Sequence, residues 1–273
     1  MIPAEVDYIR ASSLEEALAA LADPDAKALA GGQSLVSVLK LRLVRPKLLV
    51  DIGGLELRGV DELDGQLRVG ALTTWSELAE SPELRRPALA ALTQCATGVG
   101  DLQVRNRGTV GGSIAHADPA SDLPAVLLAL GASVVLRSAK GERSVPASDF
   151  FLGPFSTALQ LGELLTGVFV PLPPRGTGSA YASVEHPASG FALAGAAALV
   201  QADGTRSIAV TGVSGQPFVS DAADKPEEAL ASVDVFGDHF ASEEYRRHLA
   251  AVVIRRALDR AERQREEDER WLA

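Results

Sequence analysis

The sequence predicts an α+β chain built in three parts, and three observations carry that prediction. Over about the first 54 residues, apolar runs and helix-start signals alternate as strand, helix, strand, helix. A Pro- and Gly-rich stretch from Pro171 to Gly178 then separates a middle region of mixed strands and helices from the C-terminal region. That last region holds three strand-like runs and ends in one long helical stripe. The boundaries read as 1–54, 55–174 and 179–273.

Each element has its own local signal. Ser13-Leu14-Glu15-Glu16 has the form of a capping box, after which Leu14, Ala17, Leu18 and Leu21 recur at helical spacing. Asp23-Pro24-Asp25 stops that helix. Lys27 to Ala30 reads as a short strand, Gly31-Gly32-Gln33-Ser34 breaks it, and Leu35 to Arg42 resumes as helix. Lys47 to Ile52 is the next strand. Gln66 to Ala71 is another, entered through a hairpin turn at Asp64-Gly65. Thr74-Trp75-Ser76-Glu77 is a second capping box. A helix around Ala88 to Ala96 leads into a Gly-rich segment, Gly98 to Gly112. Ala125 to Leu130 reads as a short helix, and Ser133–Leu136 with Gly141–Val145 as a hairpin. Val168 to Pro171 closes the middle region. Ala180–Val184, Ala192–Gln201 and Ser207–Val213 read as three antiparallel strands. Ser242 caps the final helix, whose Ala250, Val253, Ile254, Ala257, Leu258 and Ala261 form one apolar face. The mixed charges of Asp259 to Arg270 read as a solvated helix end.

Composition bounds the function. A chain of 273 residues that is 47% hydrophobic and 23% charged folds as a globular protein rather than staying disordered. With 26 Lys and Arg against 36 Asp and Glu, the net charge of −10 argues against a general nucleic-acid binder. The N-terminal residues lack the basic and apolar runs of a signal peptide, and the longest uncharged run, Pro187 to Ala202, is too short to span a bilayer, so the expected placement is cytoplasmic. One cysteine, Cys95, closes no internal disulfide and holds no iron–sulfur cluster. It reads as a small buried hydrophobe. The four histidines show no zinc spacing, and His116 stands out only by its place between a glycine pair and an Asp-rich stretch.

Two glycine stretches carry the candidate chemistry. Ala30-Gly31-Gly32-Gln33-Ser34 lies between a strand and a helix, where bare backbone and unpaired N–H groups suit an anion. Thr109-Val110-Gly111-Gly112-Ser113 repeats the pattern with hydroxyls on both flanks. Together they can hold a diphosphate, and a branched side chain at Gly32 or Gly111 is expected to block its approach. Three Gly-Gly pairs occur where this composition gives about two by chance, so the pairs alone carry nothing. On the residues alone, an anion cradle and a pair of structural turns are equal readings. Neither stretch has Rossmann or P-loop spacing. In Ala117-Asp118-Pro119-Ala120-Ser121-Asp122, Ser121 or Asp122 caps the next helix, or else a carboxylate accepts from ribose hydroxyls or a ring N–H.

These residues resemble a known family. Ala30 to Leu35, Lys40-Leu41-Arg42, Asp51-Ile52, Val69 to Thr74 and above all Arg105 to Pro124 are similar to the FAD-binding subunits of molybdenum hydroxylases, of the carbon monoxide dehydrogenase medium-subunit and xanthine dehydrogenase type. The resemblance implies a PCMH-type (vanillyl-alcohol-oxidase-like) FAD-binding fold with a C-terminal antiparallel-sheet-plus-helices domain. It implies FAD contacts from Ala30, Gly31, Gly32, Gln33, Ser34 and Leu35, and from Thr109, Val110, Gly111, Gly112, Ser113, Ala117, Asp122 and Leu165. Asp122 would be the carboxylate that bonds FAD, and Leu165 the apolar residue near the adenine. It implies partners too, a molybdopterin subunit and an iron–sulfur subunit, with NAD, oxygen or a quinone-linked species as acceptor. The alternative is a free-standing flavin-dependent oxidase or dehydrogenase acting on a small molecule. The chain departs from the family at Ser183, where Lys is usual, at Gly190, at Ser37-Val38-Leu39 and at Phe218-Val219-Ser220.

Overall fold

A computed structural model describes residues 2–221 and 225–272, the last five by backbone alone. The first sheet is parallel. Strands β1 (Asp7–Arg10), β2 (Ala26–Leu29) and β3 (Leu48–Asp51) stand in the order β1-β3-β2. Parallel strands need crossovers, supplied here by helices α1 (Leu14–Ala20) and α2 (Leu35–Lys40). The Ser13 hydroxyl accepts from Glu16 N–H, but the Glu16 carboxylate takes Ser12 N–H and Oγ instead of the cap residue's own N–H. The expected capping box is therefore closed on one side only. Ala17, Leu18 and Leu21 pack with Val50 and Ile52, and Leu72 and Leu164 join this core from the middle region.

The middle sheet is antiparallel. Strands β4 (Val60–Leu63) and β5 (Gln66–Gly70) form the predicted hairpin, with Asp64 at φ 50° and Gly65 at φ 75° in its two-residue turn. Helices α3 (Trp75–Glu80), α4 (Ala90–Gly98), α5 (Leu102–Arg105), α6 (Val110–His116) and α7 (Leu123–Ala129) follow. The Thr74–Glu77 capping box at the start of α3 is complete. Then come β6 (Ser133–Ser138), β7 (Gly141–Pro146), α8 (Ala147–Phe150), a small ribbon of β8 (Phe151–Gly153) and β9 (Ser156–Thr157), and β10 (Leu164–Pro171). The order is β4-β5-β10-β6-β7, so β10 enters last and occupies the centre.

The third sheet runs β11 (Gly178–Glu185), β12 (Ala192–Val200), β13 (Arg206–Thr211) and β14 (Phe218–Ser220). The expected three antiparallel strands are present, with the short β14 added. Its long helix, α9 (Glu243–Leu272), lies on β11 and β12. Strand β12 has alanine at five of its nine positions and is buried on both faces: Ala194, Ala196 and Ala198 face the core under α9, while Ala197 and Leu199 join the middle core with α7. Small side chains let helices approach from both sides. The six predicted apolar residues of α9 are all buried. In the charged tail, Glu262 pairs with Arg206 on β13; side chains 268–270 lie outside the described residues. No helix among the described residues is long and apolar enough to cross a membrane.

Gly178 is where the helix meets the sheet. A Cβ there would lie 2.1 Å from Ala261 O and 2.3 Å from Arg265 N, both backbone atoms of α9. Gly178→Ala is therefore expected to destabilise the chain by about 1–3 kcal/mol, because neither backbone can yield cheaply. Chemical denaturation checks it, and an unchanged midpoint refutes the close contact.

The Gly-rich segment departs most from expectation. It folds into α5 and α6, and Gly111 and Gly112 lie in the first turn of α6 rather than in a loop. The helix expected from Ala88 starts as a 3-10 turn, Pro87–Leu89, because a proline at its head is accepted only in a first turn.

Candidate functional site

The first glycine stretch lies at the carboxyl end of β2, on the side of a parallel sheet where α/β folds keep their ligand crevices. Gly31 and Gly32 are half-buried, and Gln33 and Ser34 are exposed. Gly32 sits at φ 77°, a left-handed conformation that favours glycine. Leu35 opens α2, and the Ser34 side chain makes no cap bond. Among the described residues, no backbone N–H from Ala30 to Leu35 donates to a protein acceptor. These donors form an open set.

The second stretch is different. Thr109 caps α6 by accepting from Gly112 N–H at 3.2 Å. Val110 N–H donates to Thr73 O at 2.9 Å, Gly111 N–H to Ala71 O at 2.8 Å and Ser113 N–H to Thr109 O at 3.0 Å. The backbone donors of Val110 to Ser113 are thus already engaged. A Cβ on Gly111 would lie 2.6 Å from Ala71 Cβ and 2.8 Å from Ala71 O. The expectation that a side chain at Gly111 would block an anion is thus corrected: the missing side chain leaves room for the turn after β5. Gly112, by contrast, is exposed.

The two stretches meet. A Cβ on Gly31 would fall 1.9 Å from Arg107 O and 3.1 Å from Gly108 Cα, and one on Gly112 would lie 4.0 Å from Ala30 Cβ. Gly108 O in turn accepts from Trp75 N–H, and Thr74 and Thr109 form an isolated antiparallel bridge. The junction joins the end of β2, the turn after β5 and the head of α6.

Asp122 occupies the cap position of α7 but makes no cap bond. Its carboxylate accepts from the Tyr181 hydroxyl of β11 instead. Burial pushes the Asp122 carboxyl up to about 7; the Tyr181 bond pulls it down and the Glu185 charge pushes it up. Gly195 makes room for the phenol, since a Cβ there would sit 2.1 Å from Tyr181 Oη. Cys95 is buried, as expected, and burial, helped by the Asp122 charge, pushes its thiol well up. The turn before Asp122 is held from the third sheet: Thr211 Oγ1 lies 3.0 Å from Pro119 O and 2.8 Å from Ser121 O, and Gly212 N–H donates to Pro119 O. Ser113 and Ser121 share a hydroxyl contact of 3.1 Å.

The remaining expected residues have other surroundings. Ala117 ends α6 at φ 49° and its carbonyl accepts from Phe155 N–H. Leu165 is buried in β10 and its side chain belongs to the middle core. His116 closes α6 with its ring 5.1 Å from that of Phe155; burial lowers its imidazole more than Asp118 raises it. Arg107, Tyr181 and Thr211 were not expected in these contacts. Each acts across a long sequence gap, through a backbone carbonyl or one hydroxyl, so no local motif marks it.

The family described as "FAD binding domain in molybdopterin dehydrogenase" matches residues 4–173. The glyceraldehyde dehydrogenase medium chain of Sulfolobus acidocaldarius is 38% identical, over 94% of this chain and 99% of that one. The carbon monoxide dehydrogenase medium chain of Afipia carboxidovorans is 36% identical over 96% and 98%. Among solved structures, carbon monoxide dehydrogenase from Hydrogenophaga pseudoflava superposes with a TM-score of 0.91 at 35% identity, covering 97% of this chain and 99% of that one. Quinoline 2-oxidoreductase from Pseudomonas putida 86 gives 0.89 at 32%, covering 96% and 99%. The α+β FAD-binding fold implied by the resemblance is the fold these structures share. The chain belongs to the FAD-binding family of the molybdopterin dehydrogenases, a flavoprotein oxidoreductase subunit whose cofactor is FAD.

Proposed function

We propose that this chain is the flavin-carrying electron-transfer subunit of a molybdenum hydroxylase, receiving electrons from an iron–sulfur partner and delivering them to NAD or another acceptor. The observation that carries the reading is the junction of the two glycine stretches, with unpaired backbone donors on one side and an exposed Gly112 on the other. The residues fit FAD. Between Asp25 and Asp51 there is no carboxylate, so nothing on that segment repels a diphosphate, and the Lys27 charge acts on His116 at the end of α6. Bound FAD supplies the chemistry that couples one-electron to two-electron steps.

The chain's own work is holding and orienting. Ala30 to Leu35 offer N–H groups to the diphosphate. Thr109 to Ser113 act mainly as a wall: the Thr109 hydroxyl and the N–H groups of Val110 to Ser113 hold α6 in place, and Ser113 adds a hydroxyl. Asp122, set by Tyr181, accepts from a hydroxyl or ring N–H of the cofactor. Ala117 and Leu165 shape the surroundings through backbone and bulk. No side chain serves as a general acid or base. The working units are 1–54, 55–174 and 179–273.

The test is direct. The purified chain is expected to show flavin absorbance, and the denatured protein to release FAD. Co-expressed with iron–sulfur and molybdopterin subunits from its native source, it is expected to join them and to be reduced only through them. Bleaching by a small substrate with no partner present would instead establish a free-standing flavin oxidase or dehydrogenase.

A further inference from the structure

The segment after the first glycine stretch carries a surface the flavin site does not use. Helix α2 ends in a Schellman-type turn: Leu43 N–H donates to Val38 O and Arg42 N–H to Leu39 O, with Arg42 at φ 57°. That left-handed position favours glycine, and an arginine there carries backbone strain. The turn presents Leu41, Leu43 and Val44 to solvent, with Leu43 71% exposed. Arg42 Nε also donates to Ile2 O, which brings a further apolar residue, 80% exposed, to the same face. Large apolar side chains grouped this way mark an interaction surface rather than ordinary surface scatter.

The charge around them is one-sided. Residues 26–50 hold Lys27, Lys40, Arg42, Arg45 and Lys47 and no Asp or Glu, in a chain of net charge −10. Lys47 pairs with Asp25, but Lys40 and Arg45 have no ion pair among the described residues. The face is thus an apolar knob rimmed by cations, fixed by its own hydrogen bonds and one short helix away from Gly31 and Gly32. Preorganisation of this kind lowers the entropy lost on docking, and the basic rim selects an acidic counterpart.

We propose that the α2 turn, centred on Leu41, Leu43 and Val44 with Lys40 and Arg45 at its rim, docks an acidic-rimmed apolar face of the iron–sulfur subunit. This rests on the function proposed above, and it places the electron-donating partner beside the strand end that carries the first glycine stretch.

The experiment uses the whole complex, co-expressed and purified through a tag on the molybdopterin subunit, with flavin per molybdenum as readout. Leu43→Asp and the double variant Lys40→Glu, Arg45→Glu are expected to weaken capture of this chain about tenfold or more. Wild-type capture is expected to weaken with added salt. Each isolated variant is expected to keep wild-type FAD content and melting temperature, because the changed side chains are exposed. Leu63→Asp, on the exposed edge strand β4, is the control and is expected to assemble normally. Normal assembly of the α2-turn variants overturns the docking assignment alone. So does wild-type chain that sediments with phosphatidylglycerol vesicles, or self-associates, through the same residues. A wild-type chain that joins no iron–sulfur subunit overturns both this proposal and the function beneath it.

Discussion

Gly31→Ala is expected to yield a chain largely devoid of FAD and measurably less stable. The added Cβ would sit 1.9 Å from Arg107 O and 2.7 Å from Arg107 C, and these are backbone atoms that no rotamer change can move. Relief requires the end of β2 and the head of α6 to part. The open donors of Ala30 to Leu35 then lose their place opposite Gly112. Overpacking of this type costs about 1–3 kcal/mol. The loss of cofactor is the larger effect, because displacing a binding backbone by even an ångström misaligns several hydrogen bonds at once. Gly111→Ala tests the distinction between the two stretches. Its Cβ strikes Ala71, away from the exposed face, so it is expected to lower stability in the absence of flavin by a similar amount. Flavin absorbance per chain, read beside denaturation of the flavin-free protein, separates the cases. A stable, fully yellow Gly31→Ala protein would refute the junction.

The sequence showed where backbone is bare, and physical reasons limit how much further it reaches. The alternation over residues 1–54, the Asp64-Gly65 turn, the β6–β7 hairpin and the stripe on α9 are local patterns, and each is present in the fold. Helix α6 was hidden because Val110-Gly111-Gly112-Ser113 has poor helix propensity; it is held by the Thr109 cap and by bonds from Val110 and Gly111 to the turn after β5. Those partners stand about 40 residues upstream, so no window in the sequence contains them. The same holds for Asp122. Its partner, Tyr181, lies 59 residues away on another sheet, and nothing near Asp122 distinguishes a helix cap from an inward-facing carboxylate. The glycines showed the opposite difficulty. Gly31, Gly111 and Gly178 look alike in the sequence, yet one faces a neighbouring loop, one a β-turn and one a helix.

Raising the pH from about 5 to about 8 is expected to cost the flavin-free chain stability through Asp122, and Asp122→Asn to remove that loss. The carboxyl sits at about 7 in the fold against an ordinary 3.8, so the folded state binds more protons than the unfolded chain across that interval. Stability from this group is complete below the unfolded value and drains away as pH rises through the folded one, at no more than about 1.4 kcal/mol per pH unit. Glu77, Glu163 and Asp238 are shifted down, so their contribution is complete before this window opens. His116 opposes the trend. Its lowered imidazole adds stability as pH rises toward its ordinary value of 6.5, which is why the informative quantity is wild type minus Asp122→Asn. Tyr181→Phe removes the donor that pulls Asp122 down, so the fall should move to higher pH. FAD binding should run the other way. A cofactor held by the ionised carboxylate binds more tightly as pH rises through about 7, and in Asp122→Asn that slope should be flat. Flavin dissociation constants at both ends of the window, set against the melts, decide whether Tyr181 merely packs the core or sets the charge at the cofactor. A wild-type affinity that does not change with pH, beside a melt that does, would leave Asp122 to the fold and take it out of the flavin site.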